Sequence, residues 1–373
     1  MIAHLSRAVV NSLFMAGPET TATISGGVIC FLSAKIKIFG YPMPITRLNN
    51  LWPPLLGTLE RGFQAWIFVT KLTIPAMLLT RLLLYFELIP YVAAVFKPAM
   101  ALVGLPPEAA LIWVAGMVAN LYVAITVFVS LAPVMGTLTL AQVTTLGCLC
   151  LLAHGLIVEG QVCRGAGLSF WRVTLFRLLA ALIFGLIVSQ GSALAGWGGE
   201  PSVMLLNAVD FVSDTVPPWS DWLLGSARQL LLILVVVEIL MLGMELIKLL
   251  GLTRLIMKVL GPILRLAGVG EKAVMVTVIG CVVGLALGGG LIIAESRGGH
   301  ISQRDIFGSM MFMAVFHSMI EDTLIVWAFG GSLWWLLGAR LIFAVALAGL
   351  VTRLTQRLAW KPILVGRGLD FSN

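Results

Sequence analysis

Charge is what this sequence has least of. Only 11% of its 373 residues are Asp, Glu, Lys or Arg, against 60% hydrophobic, and the mean hydropathy is +1.04. A soluble chain of this length needs far more polar surface. The scarcity excludes a large extramembrane domain, and most soluble enzymes with it. Cysteine is sparse and unpatterned. Cys30, Cys148, Cys150, Cys163 and Cys281 form no C-x-x-C pair, and Cys148 and Cys150 would point to different faces of a helix. Neither a zinc site nor a disulfide framework is indicated. A clean leader cleavage site is also lacking. The run Val9-Val10-Asn11-Ser12-Leu13-Phe14 is short and broken, and reads as an uncleaved cytoplasmic amphipathic segment. The +7 net charge comes from basic residues scattered between apolar stretches, so it suggests basic cytoplasmic loops and no nucleic acid partner.

What the sequence does have is long apolar runs. A bilayer span takes about 20 apolar residues. Six segments qualify: 64–89, 139–162, 169–190, 223–249, 303–327 and 332–351. Two more, 106–132 and 271–295, are long enough but interrupted, the first by Asn120, the second by Gly284 and then Gly288-Gly289-Gly290. A polar or glycine-rich break at mid-depth suits a re-entrant hairpin whose irregular backbone is buried in protein or lines a cavity. Leu252, Leu255, Ile256, Val259 and Leu260 follow helical spacing opposite Arg254 and Lys258, which predicts a surface amphipathic helix over 252–261 ended by Pro262; residues 91–105 are a weaker counterpart.

Charge orients the spans. Residues 191–222 carry Glu200, Asp210, Asp214 and Asp221 and no lysine or arginine, so they are expected outside; Arg353, Arg357, Lys361 and Arg367 place the C-terminus inside. With six crossings and two non-crossing hairpins, the other basic segments also fall inside, Lys97 excepted. The expected location is a bacterial-type inner membrane, multi-pass, with both termini cytoplasmic.

The chain also repeats itself at an offset of 163. His154, Glu159, Gly167, Ser169, Trp171 and Arg177 match His317, Asp322, Gly330, Ser332, Trp334 and Arg340. Apolar matches between membrane helices arise by chance, but His, Trp and Arg are rare in spans. Each unit then holds three crossings, an odd number, so the second copy is inverted. The expected fold is all-α and integral to the membrane: two inverted-topology repeats, about six transmembrane helices, two re-entrant hairpins and surface amphipathic helices. Its parts are an N-terminal segment 1–62, repeat one at 63–190, an acidic linker 191–222, repeat two at 223–352 and a basic tail 353–373. Inverted repeats meeting near the midplane are a common transporter architecture.

Ionisable groups inside a span cost about 2.5–3.5 kcal/mol each at a helix centre. Here they cluster: His154, Glu159 and Arg177 in one half, His317, Ser318, Glu321, Asp322 and Arg340 in the other. Arg177 and Arg340 each lie eight residues into a span, about 12 Å deep. Two readings are open. Arg177 with Glu159, and Arg340 with Asp322, are interhelical salt bridges that hold the bundle, or they gate and bind a polar solute; the two are compatible. On a continuous helix, His317 and Glu321 share one strip and Ser318 and Asp322 the next, which must face a cavity or a partner helix. The histidines are either satisfied structural residues or sites of proton uptake. No ligand spacing demands a metal. Gly288, Gly289 and Gly290 either open backbone amides to an anionic group at the hairpin turn or let helices pack closely, with Gly280 and Gly284 adding a G-x-x-x-G spacing. Asn120 is the first hairpin's counterpart. Lys71 and Arg81, and Glu238 and Glu245, are expected as partners across the repeat.

The segment Gly284-Leu-Ala-Leu-Gly288-Gly-Gly-Leu-Ile-Ile-Ala-Glu295 and the run His317-Ser-Met-Ile-Glu321-Asp322-Thr resemble the nucleoside-recognition, or Gate-domain, membrane proteins. The resemblance covers about 223–351 well and 64–190 more weakly. Similar domains occur in concentrative nucleoside transporters, in the membrane part of bacterial ferrous iron transporters and in spore maturation membrane proteins. It implies a transporter-like inverted-repeat fold with two helical hairpins and fixes no substrate. Departures are the absence of a GTPase domain and a bare glycine turn where a nucleoside transporter would present polar side chains.

The expected function is alternating-access transport, not enzymatic catalysis, of a small polar or anionic solute, a nucleoside-like class included. The solute would sit between Asn120 and Gly288–Gly290, near His154 and His317. Arg177 and Arg340 would supply charge; Glu159, Glu321 and Asp322 would couple protons or gate. The alternative is a non-transporting membrane subunit that binds a partner protein. No cofactor is expected. The expected partners are the lipid bilayer, the solute and a second copy of the chain.

Overall fold

A computed structural model describes residues 36–38, 41–43, 52–203, 218–297 and 301–357. Met1–Pro53 and Pro54–Asn373 form separate compact units. In the first, strands β1 (Ile36–Ile38) and β2 (Tyr41–Met43) pair antiparallel, Ile36 opposite Met43. The expected amphipathic segment near Val9, the acidic residues Asp210 and Asp214, and the tail residues Lys361 and Arg367 lie outside the described residues.

The second unit is helical. Its elements run α1 (Trp52–Tyr85), α2 (Ile89–Leu102), α3 (Ala109–Val118), α4 (Leu121–Met135), α5 (Leu140–Leu152), α6 (Leu156–Gly165), α7 (Phe170–Ala195), α8 (Trp219–Leu249), α9 (Leu252–Leu266), α10 (Glu271–Val283), α11 (Leu285–Arg297), α12 (Gln303–Val315), α13 (Glu321–Ala328), a π-helical turn (Trp334–Ala339) and α14 (Arg340–Arg357). Among the described residues, five helical stretches are long and apolar enough to cross a membrane: Gly57–Tyr85, Leu140–Gly165, Phe170–Ala195, Trp219–Leu249 and Trp334–Thr355.

Burial separates centre from rim. The stretch Leu140–Gly165 is 78% buried within the protein, whereas Trp219–Leu249 is 17% buried. The outer helix shows Leu223, Leu224, Leu231, Val235 and Ile239 on its exposed face, a surface suited to lipid. The centre is α5 and α12, whose Cys148 to Leu152 and Met310 to Val315 are all buried. Helix α5 packs on α7, α12 on α14, and α5 also meets α12. The four described cysteines are free and buried.

Four expected features are placed differently. The segment 303–327 is not one helix: it stops at Val315 and resumes at Glu321. Ser318 sits at φ +45°, outside the right-handed helix, so the His317/Glu321 and Ser318/Asp322 strips do not exist as continuous ridges. Segment 139–162 breaks in the same way, with Gly155 at φ +56°. The second hairpin turns at Gly284 (φ +107°), a conformation that requires glycine, and the Gly288–Gly290 run lies inside α11. Pro262 lies inside α9, which continues to Leu266. The first long helix begins at Trp52, with Pro53 and Pro54 in its first turn, where their missing amide hydrogens are not needed.

Candidate functional site

The two helix breaks are the site. At each, the chain leaves the helix, turns through a left-handed residue and starts a second helix. A break inside a membrane bundle strands backbone carbonyls that would have closed the next turn. Each break answers this with an arginine. Arg177, on α7, donates from Nε to the Leu152 carbonyl (3.0 Å) and from Nη2 to the His154 carbonyl (3.0 Å). Arg340, at the start of α14, donates from Nε to the Val315 carbonyl (3.0 Å) and from Nη2 to the His317 carbonyl (3.1 Å). Residues 163 apart therefore make the same bonds. Arg340 adds a third, to the Leu151 carbonyl (3.2 Å), which ties α14 to the other half. Both side chains are at most 1% exposed. Five rigid donors match several carbonyls at once, which a lysine cannot do.

The histidines match as well. His154 Nδ1 lies 2.9 Å from the Cys150 carbonyl and His317 Nδ1 2.8 Å from the Met313 carbonyl. Their free nitrogens then meet: His154 Nε2 and His317 Nε2 are 3.2 Å apart. Glu159 Oε1 stands 3.1 Å from His317 Nε2 and 3.4 Å from His154 Nε2. Asp322 Oδ2 is 3.4 Å from His154 Nε2. Each histidine thus touches a carboxylate of the opposite half.

The carboxylates differ. Arg177 Nη1 holds Glu159 Oε2 at 2.5 Å, so one of the two anticipated salt bridges forms. The other does not: no Arg340–Asp322 ion pair occurs among the described residues, and Arg340 Nη1 and Asp322 Oδ2 are both buried without a hydrogen bond. Glu321 turns to a residue sequence reasoning missed: Tyr122, on α4, donates to its Oε1 at 2.7 Å.

The remaining expected site residues lie elsewhere. Asn120 caps α4, its side chain accepting from Val123 N at 3.0 Å. Ser318 supplies the left-handed turn, and its hydroxyl faces Gly284, where a Cβ would come within 3.0 Å. A Cβ on Gly288 would run into the Gly280 backbone of α10, and one on Gly289 into Val162 of α6; Gly290 faces open space. Close packing, not open amides, accounts for Gly288 and Gly289. Breaks and hairpins are tied together by Gly155 N donating to Gly116 O (2.9 Å) and Met319 N to Cys281 O (2.7 Å). Away from the centre, Glu245 pairs with Arg61 at 3.8 Å and Arg81 stacks over Trp219.

With the sequence spacing alone no metal was called for, yet the fold brings His154, His317 and Asp322 together, their ligand atoms all within 4.8 Å of one another. Partners 163 residues apart carry no local spacing to read.

The chain is similar to the uncharacterized membrane protein YvoD of Bacillus subtilis (strain 168), with 27% identity over 323 residues, 84% of this chain and 97% of that protein. No family model and no solved structure matches it. With the apolar helices, the likeness supports a multi-pass membrane protein.

Proposed function

We propose that this chain is a transporter-type membrane protein of two inverted-topology repeats. Access to one central site alternates between the two sides, and the solute is a small cation. One observation carries the reading. The same break, the same arginine clasp on its carbonyls and the same histidine are built twice, and the two copies meet Nε2 to Nε2. Element order supports it: a long helix, a short one, a hairpin, a broken helix and another long helix occur in each half. On this reading the broken segment α12–α13 crosses the membrane as α5–α6 does, which makes six crossings with the C-terminus inside. The likeness to nucleoside-recognition membrane proteins agrees with this architecture and, as fold-level analogy, fixes no solute.

The charge of the solute follows from the atoms around the centre. Anions need donors, and most guanidinium donors of Arg177 and Arg340 go to carbonyls and to Glu159, with Arg340 Nη1 left over. The groups left facing the middle are ring nitrogens and carboxylate oxygens.

The rival is a partner-binding subunit, which would move no solute. Flux into proteoliposomes of protons, Na⁺, Zn²⁺ and Co²⁺ separates the two. Transport by the wild type, abolished in folded His154→Gln/His317→Gln, supports the proposal. A folded wild type with no flux of any of these ions would overturn it.

A further inference from the structure

The centre presents an excess of lone pairs. Each histidine Nδ1 lies within hydrogen-bond distance of a backbone carbonyl, which can only accept, so Nδ1 carries the hydrogen in both rings. A neutral ring so fixed offers a bare lone pair at Nε2. The two Nε2 atoms, Glu159 Oε1 and Asp322 Oδ2 then converge as four acceptors with no hydrogen between them. Such a set is repulsive unless a proton or a metal cation lies within it. Asp322 Oδ2 is buried, 3.4 Å from His154 Nε2. Counting Glu321, three carboxylates face two guanidiniums here, which leaves one net negative charge with neutral rings.

The spacing suits a metal cation, and His154, His317 and Asp322 hold their ligand atoms within 4.8 Å of one another. Bonds of about 2.0–2.1 Å in a tetrahedral site set ligand-to-ligand edges of about 3.3 Å. The triangle of His154 Nε2, His317 Nε2 and Glu159 Oε1 has edges of 3.2, 3.4 and 3.1 Å, and Asp322 Oδ2 stands 3.4 Å from His154 Nε2. The rings are oriented through Nδ1–H to carbonyls, and Glu159 has its second oxygen held by Arg177, the outer-shell support that metal ligands generally have. Two imidazoles and carboxylates suit zinc and its first-row neighbours; Mg²⁺ and Ca²⁺ prefer oxygen-only surroundings.

We propose that His154 and His317, with Glu159 and Asp322, bind one divalent first-row transition metal ion shared between the two halves of the chain. That the ion is cargo rests on the transport reading above; that it binds does not.

The test is equilibrium dialysis of the tag-free, chelator-stripped full chain in detergent against Zn²⁺ and Co²⁺, with Mg²⁺ and Ca²⁺ as controls and the visible spectrum of Co²⁺ as a readout of geometry. Saturable binding of one Zn²⁺ or Co²⁺ per chain is expected, with tetrahedral Co²⁺ absorption and no competition from Mg²⁺ or Ca²⁺. Affinity should fall at least tenfold in His317→Gln and in Asp322→Asn, each checked for folding by circular dichroism and gel filtration. The second variant decides if the first unfolds. No saturable Zn²⁺ or Co²⁺ binding by folded wild type overturns the proposal, as does unchanged affinity in both variants. Binding without flux in proteoliposomes supports this inference and removes the transport reading; flux of protons or Na⁺ without metal binding removes the inference and leaves the transport reading standing.

Discussion

The half-site around His154 and the half-site around His317 share a backbone design and differ in one ion pair. In both, an arginine clasps the carbonyls of a broken helix and a histidine donates to the carbonyl four residues back. In the first half the arginine also holds the carboxylate, Glu159; in the second, Asp322 lies against His154 instead. The shared part is structural, since a broken helix in a bundle must satisfy its free carbonyls. The part that differs is electrostatic, and it can change without dismantling either break.

The largest expected effect separates the two arginines. Arg177→Met strands a buried Glu159, an uncompensated charge worth about 3–5 kcal/mol. Arg340→Met breaks carbonyl bonds but no direct ion pair, and should cost less in unfolding titrations in detergent. Adding Glu159→Gln should recover much of the loss in Arg177→Met, while adding Asp322→Asn to Arg340→Met should recover little. Equal behaviour of the two pairs would erase the asymmetry.

Smaller effects sharpen the contrast at the edges of the site. Tyr122→Phe removes the donor to half-buried Glu321 and should destabilise by about 1–3 kcal/mol in the same titration. The hairpins turn by different chemistry, one by a side-chain cap and one by a left-handed glycine. Gly284→Ala, strained at φ +107°, should cost about 1–3 kcal/mol, and Asn120→Ala about 1 kcal/mol. The smallest effect runs the other way. Ser318 holds the conformation that Gly155 holds in the other half, so Ser318→Gly should be neutral or stabilise by up to about 1 kcal/mol, whereas Gly155→Ala destabilises.

Much of this was legible in the sequence, for identifiable reasons. Histidine and arginine are rare in apolar spans, so a single offset linking His154 with His317 and Arg177 with Arg340 survived the noise of leucine-rich helices. Asn120 was legible as a break because an Asn caps helices. The breaks at the histidines were not, because Ala153 and Phe316, at φ −136° and −139°, are residues that any helix accepts. The second hairpin's turn was misplaced because three consecutive glycines outweigh one, although Gly284 alone takes a positive φ there. Tyr122 with Glu321, 199 residues apart, left no pattern to find.

The central claim is that the two halves build one site by meeting at His154 and His317. A double-mutant cycle measures it most directly: unfolding free energies in detergent for wild type, His154→Ala, His317→Ala and the double variant. Residues in one network couple by about 0.5–3 kcal/mol, and distant ones add within about 0.3–0.5 kcal/mol. The account predicts a coupling of at least about 1 kcal/mol between these two histidines, 3.2 Å apart at Nε2. Additive losses would contradict it.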